Sequence, residues 1–117
     1  MKRRLFLSMG FALIGSLSIA NIQEPPKTVK IKTSAICEMC KERIEKQLAF
    51  TKGVSESNLD LKDKVVTVTF NPKKTDTNKI KQAINDAGYD ADETIANDKS
   101  YEKLPSCCKK DGEPMNN

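Results

Sequence analysis

The sequence predicts an α+β sandwich: four antiparallel strands form one sheet, and two helices cover one of its faces. Three observations predict it. "VVTVTF", residues 65–70, is β-branched and sets Val66, Val68 and Phe70 on one face, the mark of a half-buried strand. Two other segments change to a helical period: Cys40, Ile44 and Leu48 recur at every fourth position, and Ile80, Ala83, Ile84 and Ala87 at every third or fourth. Each helix then has a single apolar stripe, which needs one face of a sheet to bury it. Shorter alternating runs fit around these segments in the order strand, helix, strand, strand, helix, strand. That order is the ferredoxin-like βαββαβ arrangement.

The elements follow in turn. Residues 1–20 open with Lys2, Arg3 and Arg4 and continue with the uncharged run "LFLSMGFALIGSLSIA". A basic start, an apolar middle and a small residue at each of the two positions read by a signal peptidase (Ser18 and Ala20) describe a secretory signal peptide. The run is shorter than the roughly 20 apolar residues of a membrane span, and no cysteine follows it closely as in a lipoprotein. The expected location is therefore export to the periplasm or the medium, with no stable membrane insertion after cleavage. An uncleaved anchor is the alternative. Residues 21–27, "NIQEPPK", form a linker stiffened by Pro25-Pro26.

"TVKIKT", Thr28 to Thr33, alternates apolar and polar side chains and predicts the first strand. The first helix carries Cys40 in its first turn and stops at Thr51-Lys52-Gly53, with Gly53 as its C-terminal cap. Val54 to Leu61 is an irregular second strand, and Lys62-Asp63-Lys64 a tight turn into the third, which Pro72 ends. "NPKKTDT" offers Thr75, Asp76 or Thr77 as the cap of the second helix, which Gly88 closes. "YDADETI", Tyr89 to Ile95, is a short final strand. The domain spans 28–95, and the polar residues 96–117, with Pro105, Pro114, Cys107 and Cys108, read as a flexible cysteine-containing tail.

Composition narrows the function. The chain has 117 residues and a net charge of +4, but residues 1–20 take three basic residues and no acid with them, leaving +1. A nucleic-acid partner therefore has no electrostatic support. The absence of histidine excludes histidine catalysis and a histidine-containing zinc finger.

The chemistry sits in "SAICEMCKERIEKQL". Cys37 precedes the first helix and Cys40 lies in its first turn, where unpaired backbone N–H groups and the positive dipole end stabilise thiolates. Two converging thiolates suit a soft ion such as Cu(I), Hg(II), Zn(II) or Cd(II). Two sulfurs leave the ion undercoordinated, so it can pass to an incoming thiolate by ligand exchange. A structural site would close its shell with four ligands.

Three other readings use the same residues. Four cysteines in an exported chain can form two disulfides in any of three connectivities, although a staple across so short a loop adds little stability. The pair can also serve as a thiol–disulfide redox centre. Against that stand the absence of an aromatic before Cys37, the middle pair Glu38-Met39, and a domain short for a thioredoxin fold. The third is a stapled interaction domain without chemistry. Cys107 and Cys108 either join the C-x-x-C site or remain a disulfide or free thiols. Met39 reads as an exposed side chain. Lys41, Arg43 and Lys46 read as a solvated helix face, with a docking surface for an acidic partner as the alternative.

The strand, the C-x-x-C at a helix start and "AGYDA" (Ala87 to Ala91) after the second helix together resemble the heavy-metal-associated domain. That family includes copper chaperones, modules of metal-pumping ATPases and an exported mercury-binding protein. The resemblance covers residues 28–95. It implies Cys37 and Cys40 as metal ligands, Tyr89 beside the site, and no enzymatic activity. It also implies a thiolate-bearing transporter or acceptor domain as partner, with Cu(I) first and Hg(II) close behind. The family usually reads Gly-Met-Thr-Cys where this chain has Ser34-Ala35-Ile36-Cys37. Ala35 stands where the family's methionine packs beneath the loop, which implies less filling there and a looser loop.

Overall fold

The computed structural model describes residues 25–109. Its elements are β1 (Lys27–Lys32), α1 (Glu38–Ala49), β2 (Val54–Asp60), β3 (Val65–Phe70), α2 (Thr77–Asp86), α3 (Asp98–Glu102) and a 3-10 helix (Ser106–Cys108). The expectations for residues 1–20 and for 21–24 of the linker lie outside the described residues. Among the described residues no helix is long and apolar enough to cross a membrane.

β3 is central because its β-branched run has the strongest strand preference of the three. It pairs antiparallel with β1 on one edge and β2 on the other, with Val66 opposite Ile31 and Leu59. Val66, Val68 and Phe70 are buried, and so are Ile31 and Leu59. Ile44 and Leu48 from α1 and Ile80 and Ile84 from α2 join the same core. Both helices therefore lie over one sheet face, as their single stripes require. A bulge at Val54/Glu56 makes β2 irregular. Lys64, with φ +62, turns the chain between β2 and β3.

Helix boundaries follow local chemistry. Asp76 is the N-cap of α2, its carboxylate accepting from the Lys79 amide at 2.9 Å. Gly88, at φ +104, ends α2: its amide donates to the Asn85 carbonyl, and the Tyr89 amide donates to the Ile84 carbonyl. This is the paired closure that a left-handed residue permits after a helix. At α1 the outcome differs from expectation. Phe50 is the C-cap, and Gly53 (φ +90) instead turns the chain into β2.

Two further expectations are corrected. Among the described residues the sheet has three strands, not the expected four. Tyr89–Ile95 contributes only isolated bridges, Thr33 to Ala91 and Ala91 to Thr94. The reason is local: Ala91 and Thr94 exchange backbone hydrogen bonds of 3.0 and 2.9 Å, and Asp92 between them has φ +52. The segment closes on itself and has no run of amides left to extend along β1. Asp92 still caps that edge, donating from its amide to Lys32 and accepting the Lys32 amide on its carboxylate at 2.9 Å.

The described part of the expected tail, residues 96–109, is also folded. Asn97 caps α3 by accepting from the Ser100 amide, and its own amide donates to the Asn85 carbonyl. Leu104 and Cys108 are buried in the core.

Candidate metal centre

Three loops meet at the start of α1. The β1–α1 loop is tied where it leaves β1: the Ala35 amide donates to Thr33 Oγ1 at 3.1 Å, and Ser34 Oγ accepts the Asp90 amide at 3.0 Å. Ala35 is fully buried. The loosening expected from so small a residue is opposed by these bonds, and Ser34 locks the loop to the chain that follows Tyr89. Sequence reasoning passed over Ser34, because its partner lies 56 residues away.

Cys37 is the N-cap of α1 in extended backbone, half-exposed, and Cys40 is fully buried one turn on. Their sulfurs lie 3.3 Å apart. A disulfide would need about 2.05 Å, and all four cysteines are free. Cys108 comes from the 3-10 helix, with its sulfur 3.8 Å from that of Cys37 and its side chain buried. The sulfurs of Cys37, Cys40 and Cys108 all lie within 4.8 Å of one another. Cys107 is exposed and outside this group; its carbonyl, not its thiol, approaches the Cys37 sulfur, at 3.8 Å. Of the two tail cysteines the fold thus brings one in.

Burial pushes the Cys37 thiol up, but the backbone amides of Cys40 and Met39 and the thiols of Cys40 and Cys108 outweigh it and hold Cys37 below the usual thiol range. This is the effect of a helix start on a sulfur. Cys108 moves the other way: burial raises it, Cys40 and Cys37 add to the rise, and Tyr89 opposes it. Tyr89 is fully buried, and its hydroxyl has no hydrogen-bond partner of good geometry. It lies against the thiols of Cys108 and Cys40, and burial keeps it protonated far above the usual phenol range. Neutral thiols are weak acceptors and thiolates strong ones. An orphaned donor facing sulfurs is therefore suited to those sulfurs in their ligating, deprotonated form.

Met39 is 45% exposed. Lys41 is engaged within its own helix, 2.7 Å from Glu45, whose carboxylate also accepts the Leu59 amide. Arg43 and Lys46 are exposed.

The heavy-metal-associated domain model matches residues 30–90. A mercuric transport protein periplasmic component of Serratia marcescens is 28% identical over 88 residues, covering 74% of this chain and 92% of that protein. The copper chaperone CopZ of Staphylococcus epidermidis is 34% identical over 64 residues, 55% of this chain and 93% of the chaperone. Among solved structures, oxidized MerP from Ralstonia metallidurans CH34 superposes with a TM-score of 0.55 at 28% identity, covering 56% of this chain and 93% of that one. The chain therefore belongs to the heavy-metal-associated domain family, a family of soft-metal-binding domains with a C-x-x-C cysteine pair.

Proposed function

We propose that the protein is an exported carrier, without enzymatic activity, that captures a soft metal ion on Cys37 and Cys40 and hands it to another thiolate-bearing protein such as a metal transporter. The observation that carries this reading is the pair of sulfurs 3.3 Å apart at the start of α1, one buried and one reaching solvent. Cys37, the half-exposed thiol, held below the usual thiol range at the helix start, meets the incoming ion first. Cys40 follows from the buried side. Each thiol that ligates gives its proton to solvent, and no electron moves. Release is the reverse exchange, an acceptor thiolate bonding to the ion as a Cys37–metal bond breaks. Cu(I) is the first candidate and Hg(II) the second. The relatives named above as a copper chaperone and a mercuric transport component support both. Export rests on residues 1–20 and on the similarity to a component named as periplasmic.

Native mass spectrometry of the reduced protein, with Cu(I), Hg(II) and Zn(II) in competition, tests this. One soft ion is expected to bind per chain, and Cys37→Ser/Cys40→Ser is expected to lose it. No soft ion on the reduced wild type, together with catalysed disulfide exchange, would instead assign the pair to redox work.

Tyr89 supports the site as a hydrogen-bond donor to its sulfurs. Tyr89→Phe keeps the ring and removes a buried unpaired hydroxyl, so metal-free stability is expected to stay within about 1 kcal/mol of wild type. Affinity for the ion is expected to fall by roughly tenfold, the usual scale for losing a partner of a metal ligand. A competition titration with equal affinities for the two proteins would remove Tyr89 from the site.

A further inference from the structure

Without an ion, Cys37 and Cys40 stand closer together than a bound ion would hold them, and a third sulfur lies beside the pair. Two sulfurs on opposite sides of an ion at about 2.3 Å each stand about 4.6 Å apart, whereas three in a plane around it stand about 4.0 Å apart. Cys37 and Cys40 are 3.3 Å apart and Cys37 and Cys108 are 3.8 Å apart. The set of three closes within 4.8 Å. Both distances are shorter than the three-ligand spacing, and the Cys37–Cys40 pair needs less opening to reach it than to reach the 4.6 Å of a linear pair.

The position of Cys108 is built by the fold. Its sulfur is delivered by a 3-10 helix in which the Cys108 amide donates to the Pro105 carbonyl at 2.8 Å. That turn follows Leu104, which is buried directly over Gly88. α3, one step earlier, is anchored through Asn97 to the carbonyl of Asn85 at the end of α2. Cys108 itself is 1% exposed. The second sign is the Tyr89 hydroxyl, which is fully buried, has no hydrogen-bond partner of good geometry and lies against Cys108 and Cys40. It lies where a donor is needed if both buried sulfurs carry charge.

Resting on the carrier reading above, we propose that Cys108 is a third thiolate ligand, so that the C-terminal segment completes a three-sulfur site for the soft ion. Ligation breaks the Cys108 S–H bond, forms a sulfur–metal bond and releases the proton to solvent, with no change of oxidation state. Cys107, exposed beside it, is not a ligand. A third sulfur holds the ion more tightly and slows its exchange, because an acceptor thiolate must displace one more bond.

The test is X-ray absorption on the reduced full chain loaded with Cu(I), and in parallel with Hg(II), for wild type, Cys107→Ser and Cys108→Ser. Three sulfurs are expected in wild type and Cys107→Ser, and two in Cys108→Ser. Affinity against a competing chelator is expected to fall about tenfold or more in Cys108→Ser alone. Two sulfurs in wild type, or three retained in Cys108→Ser, would overturn the proposal. If Cys108→Ser does not fold, the sulfur number of wild type and Cys107→Ser decides: three in both supports it, two in either overturns it. Failure of wild type to bind any soft ion is a different result, because it removes the carrier reading itself.

Discussion

Ile44→Ala is expected to cost the metal-free protein about 2–5 kcal/mol of folding stability, the usual range for truncating a fully buried aliphatic side chain. Ile44 is fully buried on α1, one helical turn beyond Cys40, and lies in the core with Leu48, Ile80, Ile84 and the β3 valines. The loss has two parts: transfer of the removed carbons, and a cavity that two helices on a three-stranded sheet cannot close completely. Small domains are stable by only about 5–15 kcal/mol in total, so this is a large share. An ion that binds only the folded state should restore part of it, about 2.7 kcal/mol at a free concentration one hundred times the dissociation constant. Urea denaturation of reduced wild type and Ile44→Ala, with and without Cu(I), measures both terms. A metal-free difference below about 1 kcal/mol would show that α1 settles into the space and that the core is less rigid at this point than its burial implies.

Gly88→Ala is expected to lower stability by about 1–3 kcal/mol and also to disturb the sulfur cluster. Alanine at φ +104 is strained, because left-handed backbone costs a side-chain-bearing residue about 1–2 kcal/mol. The added Cβ would also stand 3.0 Å from Leu104 Cδ2 and 3.1 Å from both Leu104 Cγ and the Ser100 carbonyl oxygen. Leu104 and Ser100 both lie on the segment that delivers Cys108, so relief of the contact lifts that segment outwards. In the metal-free reduced protein, Cys108 should then be alkylated faster than in wild type, with Cys40 as the buried internal reference. Mass spectrometry of timed alkylation reads both sites. An unchanged Cys108 rate beside a lowered denaturation midpoint would confine the effect of Gly88 to the end of α2.

The contrast between Cys40 and Cys108 shows what could be read along the chain. Cys40 was placed by local pattern alone: its four-residue spacing with Ile44 and Leu48 puts it on the buried face of α1, and its distance from Cys37 puts both at the helix start. β3 was equally legible, because its β-branched alternation has one reading. Asp76 was one of three candidate caps, and the hydrogen bond to Lys79 selects it. The final strand was misread because alternation in "YDADETI" says nothing about the turn that Asp92 makes. The segment after residue 95 was misread because its polar composition hides a short signal. Asn97 is a good cap, Tyr101 and Leu104 are three apart, and Pro105 follows as a stop, but a helix of five residues is too short for periodicity to show.

The sequence by itself determined the two helices, the central strand, the placement of Cys37 and Cys40 at a helix start, and the soft-ion chemistry that two such thiols support. These follow from short-range periodicity and from the residue types. Only the tertiary structure decided that the Cys108 sulfur lies beside theirs and that of Cys107 does not, that Ser34 locks the loop to Asp90, and that the Tyr89 hydroxyl lies against the sulfurs. Each of those depends on contacts between residues distant in the sequence, up to 71 positions apart for Cys37 and Cys108, and such contacts are set by packing: one face of the 3-10 helix turns inward because Leu104 is buried over Gly88, and that rotation carries Cys108 to the site and leaves Cys107 in water.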